Sequence, residues 1–164
     1  MTPTLYFLRS SENKIVKDML QFAHPEIENA EIFSNFYGLS SKDLGLYALV
    51  DNKIAGAIWS REFKATDEAL AFIDEQTPVL SFALLPEFRK KGIGSAMMEQ
   101  FLLEASALYD SLSIVAPKKK RIEEFYTRFG FELYKEDNSI LIKKLQRKEL
   151  MRPTDGYDAS KWMD

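Results

Sequence analysis

Thr77 to Leu108 constrains this chain more than any other stretch. Thr77-Pro78-Val79-Leu80-Ser81-Phe82-Ala83-Leu84-Leu85 is a run of apolar and small residues, short enough for a buried strand. Pro86 ends it, because proline cannot donate to a sheet ladder. Arg89-Lys90-Lys91-Gly92-Ile93-Gly94-Ser95 follows, and Ile93, Met97, Phe101, Leu102, Ala105 and Leu108 then recur at helical spacing. The stretch reads as strand, sharp turn, basic loop and long amphipathic helix.

That junction suits an anion. The first turn of a helix has backbone N–H groups without internal partners, and the helix dipole favours negative charge there. Gly92 and Gly94 let a ligand approach the backbone without meeting a Cβ, and Arg89, Lys90 and Lys91 add positive charge. A phosphate or pyrophosphate is the expected guest. A dinucleotide-binding loop needs a third glycine where the chain has Met97, and a Walker loop needs Gly-Lys-Ser/Thr where it has Gly94-Ser95-Ala96.

Composition bounds the rest. A chain of 164 residues fits one domain with a proper core, and 46% hydrophobic with 29% charged residues is a globular mixture. A net charge of −3 gives no bulk attraction to nucleic acid. The absence of cysteine excludes disulfides, thiolate metal sites and a Cys nucleophile, and a single histidine, His24, excludes a multi-His metal site. No apolar run reaches membrane-spanning length and no leader precedes the first strand, so a cytoplasmic protein without membrane or nucleic-acid partners is expected, as monomer or homodimer.

Along the chain, Leu5–Leu8 reads as a strand and Ile15, Val16, Met19, Leu20 and Ala23 as the apolar face of a helix broken at His24-Pro25. Pro25–Leu39 reads as a second short helix plus a loop, with Phe33, Phe36 and Tyr37 expected in the core. Leu44–Val50 and Lys53–Phe63 form a hairpin around Asp51-Asn52, and Gly56 marks a bulge or a close backbone approach. After the central helix come a strand at Leu112–Val115, a short helix with Ile122, Phe125, Tyr126 and Phe129 on one face, an αL cap at Gly130, and strands at Phe131–Tyr134 and Ser139–Leu145 turned at Asp137-Asn138. Residues 147–164 form a charged tail after a domain spanning 1–146, with isolated aromatics at Tyr157 and Trp162.

Arg89-Lys90-Lys91-Gly92-Ile93-Gly94 after a strand ending in Pro resembles the acyl-CoA motif R-x-x-G-x-G of the GNAT family, the GCN5-related N-acetyltransferases. Phe125-Tyr126-Thr127-Arg128-Phe129-Gly130-Phe131 matches that family's F-Y-x-x-x-G-F signature, and the element order agrees from Leu5 to Leu145. Gly56–Arg61 with Phe72–Pro78 looks like a bacterial subgroup of unknown acceptor. The resemblance implies an α/β (α+β) GNAT fold, a mixed sheet of about seven strands flanked by about four helices. It implies an N-acyltransferase, most simply an N-acetyltransferase, moving an acetyl group from acetyl-CoA (coenzyme A) to a small-molecule or peptide amine.

It also implies roles. Ala83, Leu84 and Leu85 would touch pantetheine, with a backbone N–H of Phe82–Leu85 as oxyanion donor beside a splayed, bulged strand. Arg89, Lys90, Lys91, Gly92, Ile93, Gly94, Ser95 and Lys119 would bind the cofactor. Tyr126 would be the acid: a phenol near pKa 10 protonating a thiolate near 8.5 is uphill by about 2 kcal/mol in water. An acceptor ammonium near pKa 10.4 is only about one part in 10³ neutral at pH 7, so a base is needed. Many family members place a Glu inside the central strand, where this chain has Ser81, and Glu75 at the strand's start is the candidate. His24 ranks below it, at a helix end before Pro25. Trp59 and Arg61, two apart on one strand face, are the candidate acceptor contacts, Arg61 for a carboxylate. With no cysteine and no expected Ser/His pair, direct attack without a covalent intermediate follows. Two other readings stay open: a non-catalytic acyl-CoA-binding or regulatory module, and an interaction domain using the 147–164 tail.

Overall fold

The computed structural model describes residues 2–146 apart from 26, 28, 29 and 36. The tail at 147–164 and Phe36 therefore lie outside the described residues. Strands β1 (Thr4–Phe7), β2 (Leu44–Val50), β3 (Lys53–Arg61), β4 (Val79–Leu84), β5 (Ser111–Val115), β6 (Glu132–Tyr134) and β7 (Asp137–Lys144) make one sheet in the order β1-β2-β3-β4-β5-β7-β6. The helices are α1 (Asn13–Ala23), α2 (Ile93–Ala105) and α3 (Lys120–Arg128), three where about four were expected. Among the described residues, Pro25–Leu39 holds only a 3₁₀ turn at Ala30–Phe33. Phe33 and Tyr37 are buried as expected.

The sheet is mixed because tight hairpins make antiparallel neighbours and helical connections allow parallel ones. β4 and β5 are the parallel pair, and the other five pairings are antiparallel. Asp51 and Asn52 both have positive φ (50° and 64°), the geometry of a type I′ hairpin turn. The second hairpin turns at Lys135-Glu136, two residues before the expected Asp137-Asn138, and Asp137 already belongs to β7. The Asp137 carboxylate instead accepts the Ser139 N–H and hydroxyl within the strand.

Alternation sorts the two faces. Leu80, Phe82 and Leu84 point with Met97, Met98 and Phe101 of α2 into one cluster, which Tyr126 and Phe131 join. Ala83, Ala57 and Trp59 point the other way, against Val16 and Met19 of α1. The Lys64–Gln76 excursion lies over Phe33, Phe63 and Val79 through Ala69 and Ala71, and Ser113 Oγ ties it down by donating to Ala71 O at 2.7 Å.

Candidate active site

The sheet is nearly divided at its centre. Val79↔Ser113 is the only residue pair in register between β4 and β5, with Ser113 N–H donating to Pro78 O at 3.0 Å. Beyond it the strands diverge, and β4 continues for five residues without a partner on that edge. Leu85 N–H donates to Ala55 O across β3, so by alternation the backbone of Ala83 and Ser81 also faces β3. The groups left facing the gap belong to Phe82 and Leu84. Of the three residues expected against pantetheine, Leu84 alone turns its backbone N–H to the gap; Ala83 and Leu85 turn theirs to β3. Phe82 was missing from that set, because a one-residue difference in register cannot be read from a uniformly apolar run. The expected bulge lies elsewhere: β4 pairs β3 without interruption, and the register shift is at Ala48/Leu49 opposite Gly56 and Ile54. Gly56 is a close approach as well, since a Cβ there would overlap Ala83 O.

The basic loop closes one end of the gap. Pro86–Phe88 makes a single 3₁₀ turn, and Arg89 Nε donates to Leu84 O at 3.0 Å, pinning the loop to the end of β4. Lys90 and Gly92 both take positive φ (63° and 80°), and Gly92 is the N-cap of α2 with no side-chain cap. The first bond into the helix is Ala96 N–H to Gly92 O, so the N–H groups of Ile93, Gly94 and Ser95 have no helical partner. Arg89, Lys90 and Lys91 are exposed beside them. A Cβ on Gly94 would lie 3.5 Å from Phe82, 3.6 Å from Leu84 and 3.8 Å from Phe125. The open helix end, the unpaired strand edge and α3 therefore border one space.

Phe125-Tyr126-Thr127-Arg128-Phe129-Gly130-Phe131 ends α3. Phe131 N–H donates to Tyr126 O and Gly130 N–H to Thr127 O, the paired bonds of a Schellman cap, with Gly130 at φ 92°. The Tyr126 ring is edge-on to Phe125 and to Phe131, each at 5.5 Å. Its hydroxyl has no hydrogen-bond partner among the described residues, and burial pushes its pKa above the ordinary phenol value. Ile122, expected on the same apolar face, is exposed. Lys119 is the exposed N-cap of α3.

Three expected positions change. Glu75 is exposed at the start of β4, where the sheet is still closed. Thr77 to Phe82 alone spans about 16 Å at strand rise, so Glu75 stands away from the gap. Trp59 is fully buried and donates its indole N–H to Phe33 O at 2.8 Å, which makes it core and removes it from direct contact with an acceptor. Arg61 donates to Asn35 O, lies 5.4 Å over the Phe63 ring, and its Nε sits 3.5 Å from Asp43 Oδ1, an ion pair too long for a well-formed hydrogen bond. Its guanidinium is already engaged and holds the 35–43 segment to β3.

A Ser/His pair, not expected from the sequence, is present, so the lack of such a pair no longer argues for direct attack. His24 Nε2 lies 2.8 Å from Ser81 Oγ, and both side chains are buried. The imidazole stacks on Phe33 at 4.2 Å, and burial lowers its pKa to about 4, leaving it neutral at pH 7. Its helix-end position, taken from sequence as a reason against it, is what drops the ring onto the middle of β4. The pair lies on the α1 face of the gap, opposite the α2 face where Gly94, Phe125 and Tyr126 lie.

A family model described as an acetyltransferase (GNAT) domain matches residues 42–133. No curated protein matches the chain. Among solved structures, a GNAT-family acetyltransferase from Staphylococcus aureus superposes with a TM-score of 0.66 at 14% identity, covering 88% of this chain and 99% of that one. A GNAT acetyltransferase from Brucella melitensis in complex with acetyl-CoA gives 0.62 at 16% identity, over 87% and 88% of the two chains. The ribosomal-protein-S18-alanine N-acetyltransferase of Escherichia coli gives 0.63 at 14% identity, over 93% and 98%. The last three likenesses are of fold. Among the described residues, no helix is long and apolar enough to cross a membrane.

Proposed function

Because this chain belongs to the GNAT acetyltransferase family, we propose that it moves an acetyl group from acetyl-CoA to a primary amine by direct attack within a ternary complex. The observation that carries the reading is the gap beyond Val79↔Ser113, which opens at one end onto the uncapped N-terminus of α2. The strand groups of Phe82 and the N–H of Leu84 suit the amides of pantetheine, and one of the two N–H groups suits a developing oxyanion. The N–H groups of Ile93, Gly94 and Ser95, with Arg89, Lys90 and Lys91, suit the pyrophosphate. Lys119 at the start of α3 would add charge for the remaining phosphate. The Brucella neighbour holds acetyl-CoA on the same fold.

Donor and acceptor would meet from opposite faces of the sheet, the donor from the α2 side and the amine from the α1 side. Tyr126 stays protonated because its burial disfavours the phenolate, so it is a proton donor for the leaving thiolate. Burial of the thiolate raises its proton affinity too, so the two effects offset. The acceptor is a small-molecule or peptide amine.

A second reading has its own support. β4 carries no carboxylate between Val79 and Leu84, and Glu75 lies at the closed end, so the fold could hold acyl-CoA without turning it over. Mixing acetyl-CoA with a panel of amines and following thiol release decides between them. The chain has no cysteine, so a thiol reagent reads only coenzyme A. Amine-dependent release supports transfer; tight binding by calorimetry with no release from any amine supports the binding module. Failure to bind acetyl-CoA would remove both.

A further inference from the structure

A cleft of about 510 Å³ opens along α1 and the residues that follow it, with Lys17, Gln21, His24, Ile27 and Glu31 in its wall. His24 is the member of that wall joined to the central strand, through the 2.8 Å contact to Ser81 Oγ. Ser81 stands directly opposite Trp59 in the β3–β4 register and one residue before Phe82, whose backbone faces the gap. A hydroxyl in the middle of β4 is thus linked to an imidazole that reaches the acceptor-side cleft. From this geometry we propose that His24 and Ser81 are the proton path from the acceptor amine, Ser81 Oγ receiving the proton and His24 Nε2 storing it. The proposal rests on the acyl-transfer reading above and supplies the base that β4 lacks.

The step balances. As the amine nitrogen bonds to the acyl carbon, an N–H bond breaks and its proton goes to Ser81 Oγ. The Ser81 O–H bond breaks and that proton goes to Nε2, so the hydroxyl is regenerated and the ring becomes imidazolium. The tetrahedral adduct then loses thiolate as its C–S bond breaks; Tyr126 gives the thiolate its proton and regains one from solvent, while the imidazolium releases its proton to solvent through the cleft. The path needs the neutral imidazole with its hydrogen on Nδ1. Desolvation provides the neutral ring. The charged groups on the elements packed around it are Lys14, Lys17 and Asp18 of α1, Glu31 after it, and the Asp43–Arg61 pair beside β3; Asp18 is paired with Lys14.

His24 is the only histidine in the sequence, so ¹⁵N spectra of labelled histidine report it without overlap. The spectra are expected to show the neutral Nδ1–H tautomer at pH 7, with Nε2 shifted in Ser81→Ala. In His24→Ala and Ser81→Ala, both binding acetyl-CoA as the parent does, turnover is expected to fall about 100-fold, a usual contribution of general base catalysis. The double variant should lose no more than either single one, and added imidazole should restore His24→Ala but not Ser81→Ala. Turnover of both variants within about threefold of the parent would overturn the proton path. So would a loss in His24→Ala that imidazole does not relieve, or an Nε2–H tautomer. A parent protein that binds acetyl-CoA and releases no thiol with any amine fails differently, because it removes the transfer reading itself.

Discussion

Tyr126 and His24 are both buried titratable groups, and burial moves them in opposite directions with different consequences. In Tyr126, desolvation raises the pKa, and the ring packs edge-on between Phe125 and Phe131 while the hydroxyl has no described partner. Tyr126→Phe removes one oxygen and leaves the packing, so folding stability should stay within about 0.5 kcal/mol. Turnover should fall by about 10²–10³ with acetyl-CoA affinity unchanged, as steady-state kinetics and calorimetry would show. Unchanged turnover would remove the acid role. In His24, desolvation lowers the pKa from 6.5 to about 4. Above pH 6.5 neither state is charged at this ring, and its burial costs nothing in protonation. Between pH 6.5 and 4 the unfolded chain binds a proton that the folded one refuses, so stability falls as pH falls, by about 3 kcal/mol when the window is crossed. Denaturant melts at pH 7, 5 and 4 should show this loss in the parent and not in His24→Gln. Parallel curves for the two proteins would mean that the ring is already charged or exposed.

At the level of the element, the two glycines flanking the donor space do unlike things. Gly130 completes the Schellman cap of α3 at φ 92°, where a side chain strains the backbone. A Cβ there would press on Lys143 Nζ, the flexible end of a side chain, so the backbone term dominates. Gly130→Ala should cost about 1–2 kcal/mol in a denaturant melt. Gly94 sits in the first turn of α2 with ordinary space around it, its nearest neighbour 3.5 Å from a built Cβ. Gly94→Ala should be neutral or slightly stabilising, since alanine favours a helix, and yet weaken acetyl-CoA binding by filling the space beside Phe82 and Leu84. Equal affinity in that variant would move the pantetheine path elsewhere. These elements were legible in the sequence for physical reasons. A loop with two glycines after a proline, and a glycine four residues beyond Tyr126, announce positive φ and helix ends directly. The Asp51-Asn52 turn was equally plain. The sequence was silent where the chain meets itself at a distance. Nothing local says that β7 inserts between β5 and β6, that β4 turns Phe82 rather than Ala83 to the gap, or that His24 bonds a serine 57 residues away. The signature around Tyr126 is also a helix cap, so its presence alone does not separate a catalytic role from a structural one.

Taken as a whole, the molecule is two half-sheets, β1-β2-β3-β4 and β5-β7-β6, joined in register at Val79↔Ser113 and held together by the helices on their faces. A ligand that lies between the halves replaces missing ladder bonds and so acts on the fold as well as the site. At a concentration 100 times its Kd it should add about 2.7 kcal/mol to stability. The gain should be local in origin, which amide hydrogen exchange can resolve. Without ligand, the amides of Phe82 and Leu84 face the gap and should exchange by small openings, whereas Leu85, bonded to Ala55 O, should be protected to the level of the core. Val115, which alternates with the β7-bonded Ile114 on the other side of the gap, belongs with the first group. Adding acetyl-CoA should slow Phe82 or Leu84 by more than tenfold beyond the general stabilisation and leave Leu85 tracking the global value. The amides of Ile93, Gly94 and Ser95, which have no helical partner, should slow with them only if the pyrophosphate lies on the start of α2. Desulfo or pantetheine-only analogues separate the two ends of the ligand: pantetheine alone should protect the strand edge and not the helix end. Protection confined to the helix end with intact acetyl-CoA would mean that the nucleotide docks while the acyl arm stays outside the gap. In that case the gap beyond Val79↔Ser113 stays unfilled, and the transfer chemistry has no place between the two halves of the sheet.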